Sequence, residues 1–461
     1  MLRSLTHIQP ILAAITHAGG RPHVVGGAVR DILRGLPAKD IDIEVYGLPI
    51  DRLAELLAGF GRVDAVGRSF GILKLRLPGG HELDVSLPRR ENKVGAGHRG
   101  FLAAPDPTMT PHEAAARRDF TFNAMAITPA GELLDFFGGV ADLEAGIIRH
   151  TTAAFAEDPL RVLRAMQFAA RLDMRLAPET AALCRALLPE APHLALERVW
   201  GEWQKWAYAS TRPSAGLRVL AETGWLACYP ELQALVDCPQ DPVYHPEGHV
   251  FIHTGHVCDA AATIAERVGL AGPERALLLL SALCHDLGKP ATTEIHADGR
   301  VRSPGHAQAG LAPTTALLRR IGCPRALSEP VLPLVAEHMA HHGMAPSPRA
   351  VRRLAVRLAP ATLTQWERLL EADYGGRPPR PPSAPGRPVL ELAHQLGVAH
   401  GRPEPIVQGR HLLGLGLQPG PQLGALLKRA YQAQIDGAFT TVEEALAWAA
   451  QQIDGQPPAA D

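Results

Sequence analysis

No run of 18 apolar residues occurs anywhere in this 461-residue chain, so no membrane-spanning helix is expected. An excess of either charge is missing too: 46 Lys and Arg stand against 47 Asp and Glu, a formal net charge of −1. The chain as a whole therefore has no bulk attraction for a polyanion, and any nucleic-acid contact must come from local basic patches. Its six cysteines, Cys184, Cys228, Cys238, Cys258, Cys284 and Cys323, include no CxxC pair. That argues against a zinc knuckle or a disulfide framework and suits a reducing cytosol. The opening MLRSLTHIQPILAAITHAGG lacks the clean apolar core of a signal peptide, because His7, Gln9 and Pro10 interrupt it. A soluble, cytoplasmic protein is the expectation. No internal repeat is present. What the chain does have is 46% hydrophobic residues, enough for ordinary cores in two to four domains.

Periodicity divides the chain. Leu5, Ile8, Ile11, Leu12 and Ile15 mark a helix within residues 1–20. Short alternating runs then predict strands at 23–27, 41–47, 71–77 and 82–87, with a helix from Ile50 to Ala58 between them. This mixed domain ends near the FFGG turn at 136–139. From about residue 153 onward only helical patterns follow, to about 236 and again from His253 to about Tyr374. Residues 376–388 hold six prolines and read as a semi-rigid linker. The expected organisation is α+β: an α/β head at 1–150, a helical neck and body at 151–240, a further helical domain at 241–375, the linker, and a helical tail at 389–461.

The chemistry begins at Gly26 and Gly27, in VVGGAVRD. Two glycines at a strand-to-helix turn let backbone approach a phosphate, and the helix N-terminus behind them favours negative charge. Arg30 and Asp31 fall in the first turn of that helix. Asp40 and Asp42 follow on a strand-like run. Alternate strand residues share a face, so both carboxylates converge and call for a cation between them. Mg²⁺ is the oxygen-preferring ion that accompanies nucleotide phosphates. In a two-metal site it activates an attacking 3′-hydroxyl and neutralises the leaving pyrophosphate. Asp84, in HELDVSL, is a candidate third carboxylate, and Glu44 shares the face of Asp40 and Asp42.

Residues 24–42 resemble the opening motif of the polymerase-β-type nucleotidyltransferases, in the class that contains bacterial tRNA nucleotidyltransferases (CCA-adding enzymes) and poly(A) polymerases. RRDFTFNAMA (117–126) is similar to the family's second motif. The resemblance implies that Arg118, Asp119 and Asn123 hold the triphosphate and sugar of an incoming nucleotide, and their chemistry suits this: guanidinium forks match phosphate, Asp and Asn match ribose hydroxyls. EDPLRVLRAMQFAARL (157–172) resembles the base-selecting helix. There Glu157, Asp158 and Arg161 would present base-edge mimics from one helix end, Asp158 and Arg161 being helical neighbours, and Arg164 would join the nucleotide site. Gln167 stands where relatives often carry Arg. Glu197, Arg198 and Glu202 resemble a structural neck motif. The basic stretch at 89–101, with Arg89, Arg90, Lys93, His98 and Arg99, resembles a mobile loop that assists the switch from C to A.

A second constellation is separate. His285–Asp286 follows an apolar helical run, with His253 upstream and Asp373 far downstream. Two imidazoles and two carboxylates suit a transition metal such as Ni²⁺ or Mn²⁺ with open positions for phosphoester hydrolysis. The set matches the HD phosphohydrolase superfamily. His306 and His338 are candidates for a second metal, with His341 and His342 behind them, and Lys289 for a phosphate contact. By resemblance, such a domain carries phosphatase and 2′,3′-cyclic phosphodiesterase activity. The tail, with Lys428 and Arg429, resembles the segment that grips tRNA; Arg349, Arg352, Arg353 and Arg357 are spaced for one helix face and either track phosphates or are solvated.

The expectation is template-independent addition of C, C and A to tRNA from CTP and ATP. A poly(A) polymerase or a CC- or A-only enzyme is the alternative within the class. An HD phosphohydrolase with an RNA-binding head, or a non-catalytic RNA-binding protein, is the alternative outside it.

Overall fold

The computed structural model describes residues 2–38, 40–67, 71–93, 101–343, 345–379 and 385–454. The chain forms two compact units, Met1–Cys228 and Tyr229–Asp461.

The first unit opens with a 3₁₀ turn and α1 (Gln9–His17), which buries Ile11, Leu12 and Ile15. A sheet follows, built from β1 (Arg21–Val25), β2 (Ile41–Tyr46), β3 (Arg62–Gly67), β4 (Ile72–Arg76), β5 (Glu82–Ser86), β8 (Ala126–Ile127) and β9 (Leu133–Leu134), in the order β3-β4-β5-β2-β1-β8-β9. Its core face carries Val24, Ile43, Val45, Leu73, Leu75, Leu83 and Val85, all essentially inaccessible. Helices α2 (Gly27–Leu33) and α3 (Ile50–Leu57) lie in the connections. Strands β1 and β2 are antiparallel with Val25 opposite Asp42; β2 and β5 are parallel with Asp42 opposite Asp84. The register alone thus sets two acids side by side in the middle of the sheet.

Four strand expectations hold to within two residues at each end, and β3, β8 and β9 are additions. The stretch at 89–101 departs from the expected loop: β6 (Arg89–Lys93) and β7 (Phe101–Pro105) pair as an antiparallel hairpin. Its polar sequence has no apolar alternation to announce a strand. His98 and Arg99 lie outside the described residues.

After α4 (Pro111–Ala116), started by a Thr110–Glu113 capping box, and α5 (Gly139–Ala145), the unit is helical except for a short parallel pairing of residues 147–148 with 175–176, the latter within the stretch expected to be helical. Helix α6 (Arg161–Leu172) buries Val162, Leu163, Ala165, Met166, Ala169 and Ala170. It packs that stripe on α8 (Leu196–Ala209) and α9 (Pro213–Glu222), with α7 (Pro178–Ala186) alongside them in sequence. Its other face carries Arg164 and Arg171.

The second unit is helical throughout except for a short pairing of residues 294–295 with 301–302. After α10 (Pro230–Gln233), α11 (Val250–Arg267) and α12 (Gly272–Cys284) lead into α13 (Lys289–Thr292), α14 (His306–Ala309), α15 (Leu311–Arg320), α16 (Arg325–Ser328), α17 (Val331–Glu337), α18 (Pro348–Leu358) and α19 (Leu363–Gly375). From Ala276 to Cys284 every residue of α12 is buried, which makes it the central helix, packed by α11, α17 and α19. The tail comprises α20 (Arg387–Gln395), α21 (Gly409–Gly414), α22 (Pro421–Asp436) and α23 (Val442–Asp454). It has an apolar cluster of its own around Leu412, Leu426, Phe439 and Ala445. Arg349 and Arg353 of α18 both donate to Asp436 Oδ1, at 3.0 and 2.9 Å, and Arg357 pairs with Glu337. These arginines serve internal ion pairs in the folded chain. No described helix is long and apolar enough to cross a membrane.

Candidate active sites

A cleft of about 850 Å³ opens in the first unit between the sheet and α6, and it is lined by Gly26, Gly27, Arg30, Asp40, Asp42, Arg118, Asp119, Asn123 and Arg164. Asp40 sits on the bend just before β2 and Asp42 on the strand itself, so the two acids do reach one cavity. Burial pushes the Asp42 carboxyl above its ordinary range; the nearby Arg118 opposes this, and Asp84, Asp40 and Glu44 add to it. Gly26 holds φ +71, and a Cβ there would stand 3.2 Å from Arg118 Nη1 and 3.3 Å from Asp42 Oδ2. Only glycine lets the turn pass that close to both groups.

Arg30, Arg118 and Arg164 are each held by a second residue. Glu44, buried beneath the cleft, accepts from Arg118 Nη2 at 3.4 Å and from the Tyr46 hydroxyl. Arg30 donates to Asn123 Oδ1 at 3.0 Å and pairs with Asp31 at 2.8 Å. Arg164 reaches Asp119 Oδ2 at 2.6 Å, and Asn123 donates to Asp119 Oδ1 at 3.2 Å. Although burial works against its charge, the Asp119 carboxyl is held below its ordinary range by Arg164, Asn123 and Arg161. Asp119, Asn123, Arg30 and Arg164 therefore form one connected polar network facing the cavity.

Four expected residues fall elsewhere. Asp84 lies beside Asp42 by register, but it does not line the cleft and stands 3.7 Å from Lys74. Glu157, Asp158 and Arg161 do not share a helix: Glu157 ends a 3₁₀ turn, Asp158 is extended, and α6 starts only at Arg161. The cause is Pro159, since the residue before a proline is pushed out of the helical region. Nor do Asp158 and Arg161 pair. Asp158 binds Arg198 at 2.7 Å, Glu157 binds Arg117 at 2.7 Å, and Arg161 donates to the carbonyls of Ala154 and Arg117. None of the three lines the cleft. Instead α6 presents Arg164, Phe168 and Arg171, with Lys205 from α8. Arg30, Arg164 and Arg171 all flank the Phe168 ring at 5.4–5.8 Å. Phe168, Arg171 and Lys205 went unassigned, although spacing from Arg164 by four and seven places Phe168 and Arg171 on its face. Gln167 is buried and accepts from Arg171.

The second unit gathers His253, His285, Asp286, His306, His338 and Asp373, every one buried. Helix α12 delivers His285 and Asp286 at its end, α11 His253, α14 His306, the end of α17 His338, and α19 Asp373. Gly288 permits this: a Cβ there would stand 2.0 Å from the His306 carbonyl oxygen. His253 Nε2 is 3.1 Å from Asp373 Oδ1, His285 Nε2 is 3.1 Å from Asp286 Oδ2, and His306 Nε2 is 3.4 Å from Asp286 Oδ1. The groups His253–His285–Asp373 and Asp286–His306–His338 each have the spacing of a metal ligand set.

The outer nitrogens fix how these rings face. Nδ1 of His285, His306 and His338 lies 2.7–2.8 Å from the carbonyls of Ala282, Ser303 and Val335. A carbonyl only accepts, so each Nδ1 carries a proton and each Nε2 points inward. His306 and His338 then oppose Nε2 to Nε2 at 3.1 Å. Burial depresses both, His338 to about 3, so at neutral pH no proton relieves the repulsion, and the arrangement calls for a cation. His285 Nε2, also buried, makes no hydrogen bond. Lys289 and Arg377 balance the carboxylates, at 2.7 Å from Asp286 and 2.8 Å from Asp373. A cavity of about 590 Å³ opens onto this centre. His341 instead contacts the Tyr374 hydroxyl. His245 and Glu247, in the loop before α11, form a further group with His253. Their signal was the acid between two histidines in HPEGHVFIH.

Residues 22–149 match the Poly A polymerase head domain family and residues 250–372 the HD domain family. A multifunctional CCA protein of Xanthomonas campestris pv. campestris strain B100 is 39% identical over 426 residues, covering 90% of this chain and 97% of that protein. One from Xylella fastidiosa strain 9a5c is 40% identical over 372 residues, 77% of this chain and 84% of its own length. Among solved structures, the Bacillus stearothermophilus CCA-adding enzyme in complex with CTP superposes with a TM-score of 0.66 at 22% identity, 98% of each chain being covered. The Thermotoga maritima CCA-adding enzyme complexed with tRNA gives 0.60 at 20%, over 98% of this chain and 96% of that one. A nucleotidyltransferase head and an HD centre in one chain, with close to 40% identity over nearly its full length, place it in a single family: the chain belongs to the multifunctional CCA proteins.

Proposed function

We propose that the first unit adds C, C and A to tRNA 3′ ends from CTP and ATP without a nucleic-acid template. The observation that carries this is the meeting of Asp40 and Asp42, the Gly26–Gly27 turn and the Arg118–Asp119–Asn123 segment in one cleft. Asp40 and Asp42 would hold Mg²⁺, which fits the raised Asp42 carboxyl beside three further acids. When bound, the ion supplies charge neutralisation at the phosphates. Arg118, held by Glu44, orients a triphosphate against the Gly26–Gly27 backbone. The Asp119–Asn123 pair, fixed by Arg164 and Arg30, orients the sugar. Base choice falls to α6 and its neighbours, with Glu157, Asp158 and Arg161 released from their present partners on substrate binding. Relatives carry the name of multifunctional CCA proteins, and structures of CCA-adding enzymes exist with CTP, ATP and tRNA.

The second unit hydrolyses phosphate esters, as phosphatase and 2′,3′-cyclic phosphodiesterase. His253, His285, Asp286 and Asp373 would hold one transition metal, and His306 with His338 a second, supplying Lewis acidity toward the ester. Lys289 and Arg377 at the cavity wall favour an anionic substrate.

The test of the first reading is incubation of tRNA lacking its last three residues with Mg²⁺ and labelled CTP and ATP. Extension by three residues in the order C, C, A supports it. The head-family match favours one other reading, poly(A) polymerase, which predicts long products from ATP alone. Release of phosphate from a 2′,3′-cyclic nucleotide with Ni²⁺ or Mn²⁺ tests the second unit.

A further inference from the structure

Three of the four inward-facing histidines of the second unit are oriented by backbone carbonyls. His253 is the exception: its Nδ1 lies 2.8 Å from Glu247 Oε1, and its Nε2 lies 3.1 Å from Asp373 Oδ1. The same Oε1 accepts from His245 Nδ1 at 2.9 Å. The Glu247 side chain is 1% exposed and His253 wholly buried. A buried carboxylate behind an imidazole does two things a carbonyl does not. Its full charge raises the electron density of the ring toward a cation at the far nitrogen, and it locks the tautomer with a stronger, charge-assisted bond.

We propose that Glu247 is a positioning residue of the HD centre: it sets the orientation and basicity of His253, making this imidazole the strongest donor of the four, and through its second bond it fixes His245 in the cavity wall. The proposal rests on the reading of that centre as a metal site. Among the described residues Glu247 bonds no proposed ligand other than His253, so its effect on the centre travels through that ring. His245 lines the cavity, its ring 4.8 Å from that of His253, and it meets the centre through Glu247 and His253.

Calorimetric titration of the metal-free full-length chain with Ni²⁺ or Mn²⁺ tests this, comparing wild type with Glu247→Ala, Glu247→Gln, His245→Ala and His253→Ala. Glu247→Ala is expected to weaken binding about 10- to 100-fold. Glu247→Gln keeps the volume and an oxygen that accepts from Nδ1 but loses the charge, so it should fall between wild type and Glu247→Ala. His245→Ala should lose less than Glu247→Ala, because Glu247 keeps its bond to His253, and His253→Ala should lose the most. Urea midpoints of the metal-free variants separate an affinity loss from an unfolded centre. Wild-type affinity in both Glu247 variants overturns the proposal, as does an equal loss in His245→Ala. If wild type and His253→Ala bind alike, the metal-site reading fails and the proposal with it.

Discussion

Gly26→Ala isolates the most constrained point of the nucleotidyltransferase cleft. Gly26 caps α2 with φ 71° and ψ −137°, a region nearly closed to any residue with a side chain, so the backbone alone costs about 1–3 kcal/mol. The added methyl also meets Arg118 Nη1 at 3.2 Å and Asp42 Oδ2 at 3.3 Å, both inside ordinary contact distance. Each must move by a few tenths of an ångström, and these are the groups proposed to hold the triphosphate and the ion. Misplacement on that scale predicts a fall in kcat/KM of about 10- to 100-fold. Gly35→Ala is the control: φ is +72°, with nothing within 4 Å of the new methyl. It carries a comparable backbone strain of about 1–2 kcal/mol and no clash. Urea unfolding followed by tryptophan fluorescence, and CTP incorporation into trimmed tRNA, should show both variants destabilised but only Gly26→Ala slowed. Equal activity in the two would refute the account of the Gly26 turn.

Arg164→Ala strands the buried Asp119 carboxylate and should cost about 3 kcal/mol, the low end for a broken buried pair because Arg164 is about a third exposed; adding Asp119→Asn should recover part of that loss in the same unfolding assay. His285→Ala should abolish HD-site hydrolysis while nucleotide addition continues, measured on one preparation. The metal-free second unit should lose stability as pH falls. His245 and His338 are depressed mainly by burial, to about 4 and about 3, so the stability their neutral forms contribute is present above pH 6.5 and drains away below it. Each contributes a slope of up to about 1.4 kcal/mol per pH unit. The depressed Asp286 and Asp373 act in the same direction, and His253, raised by Asp373 and Glu247, offsets a part. A urea midpoint that rises between pH 7 and pH 5 would contradict this.

The parts legible in the sequence were those fixed by short-range geometry. Asp40 and Asp42, two apart at the start of β2, were expected on one face, and a glycine pair before a helix had to turn. The His285–Asp286 pair sat at the end of a run apolar on every side, which only a central helix can be. What stayed hidden depended on partners distant in sequence. Glu247 sits in a loop without periodicity, and although histidines flank it in sequence, only packing against α11 decides which of them it holds. The Arg171 and Lys205 wall comes from two helices whose crossing no local pattern announces. The polar strand β6 is held by pairing with β7. The mistake at Asp158 was avoidable, since Pro159 excludes that residue from the helix beginning at Arg161.

In the proposed division of labour, Asp40 and Asp42 carry out nucleotide addition and the histidine centre does not. Asp42→Ala, assayed for CTP and ATP incorporation into tRNA lacking its three terminal residues, tests it most directly. The account predicts no extension, with hydrolysis of a 2′,3′-cyclic nucleotide retained in the same sample; extension at the wild-type rate would contradict it.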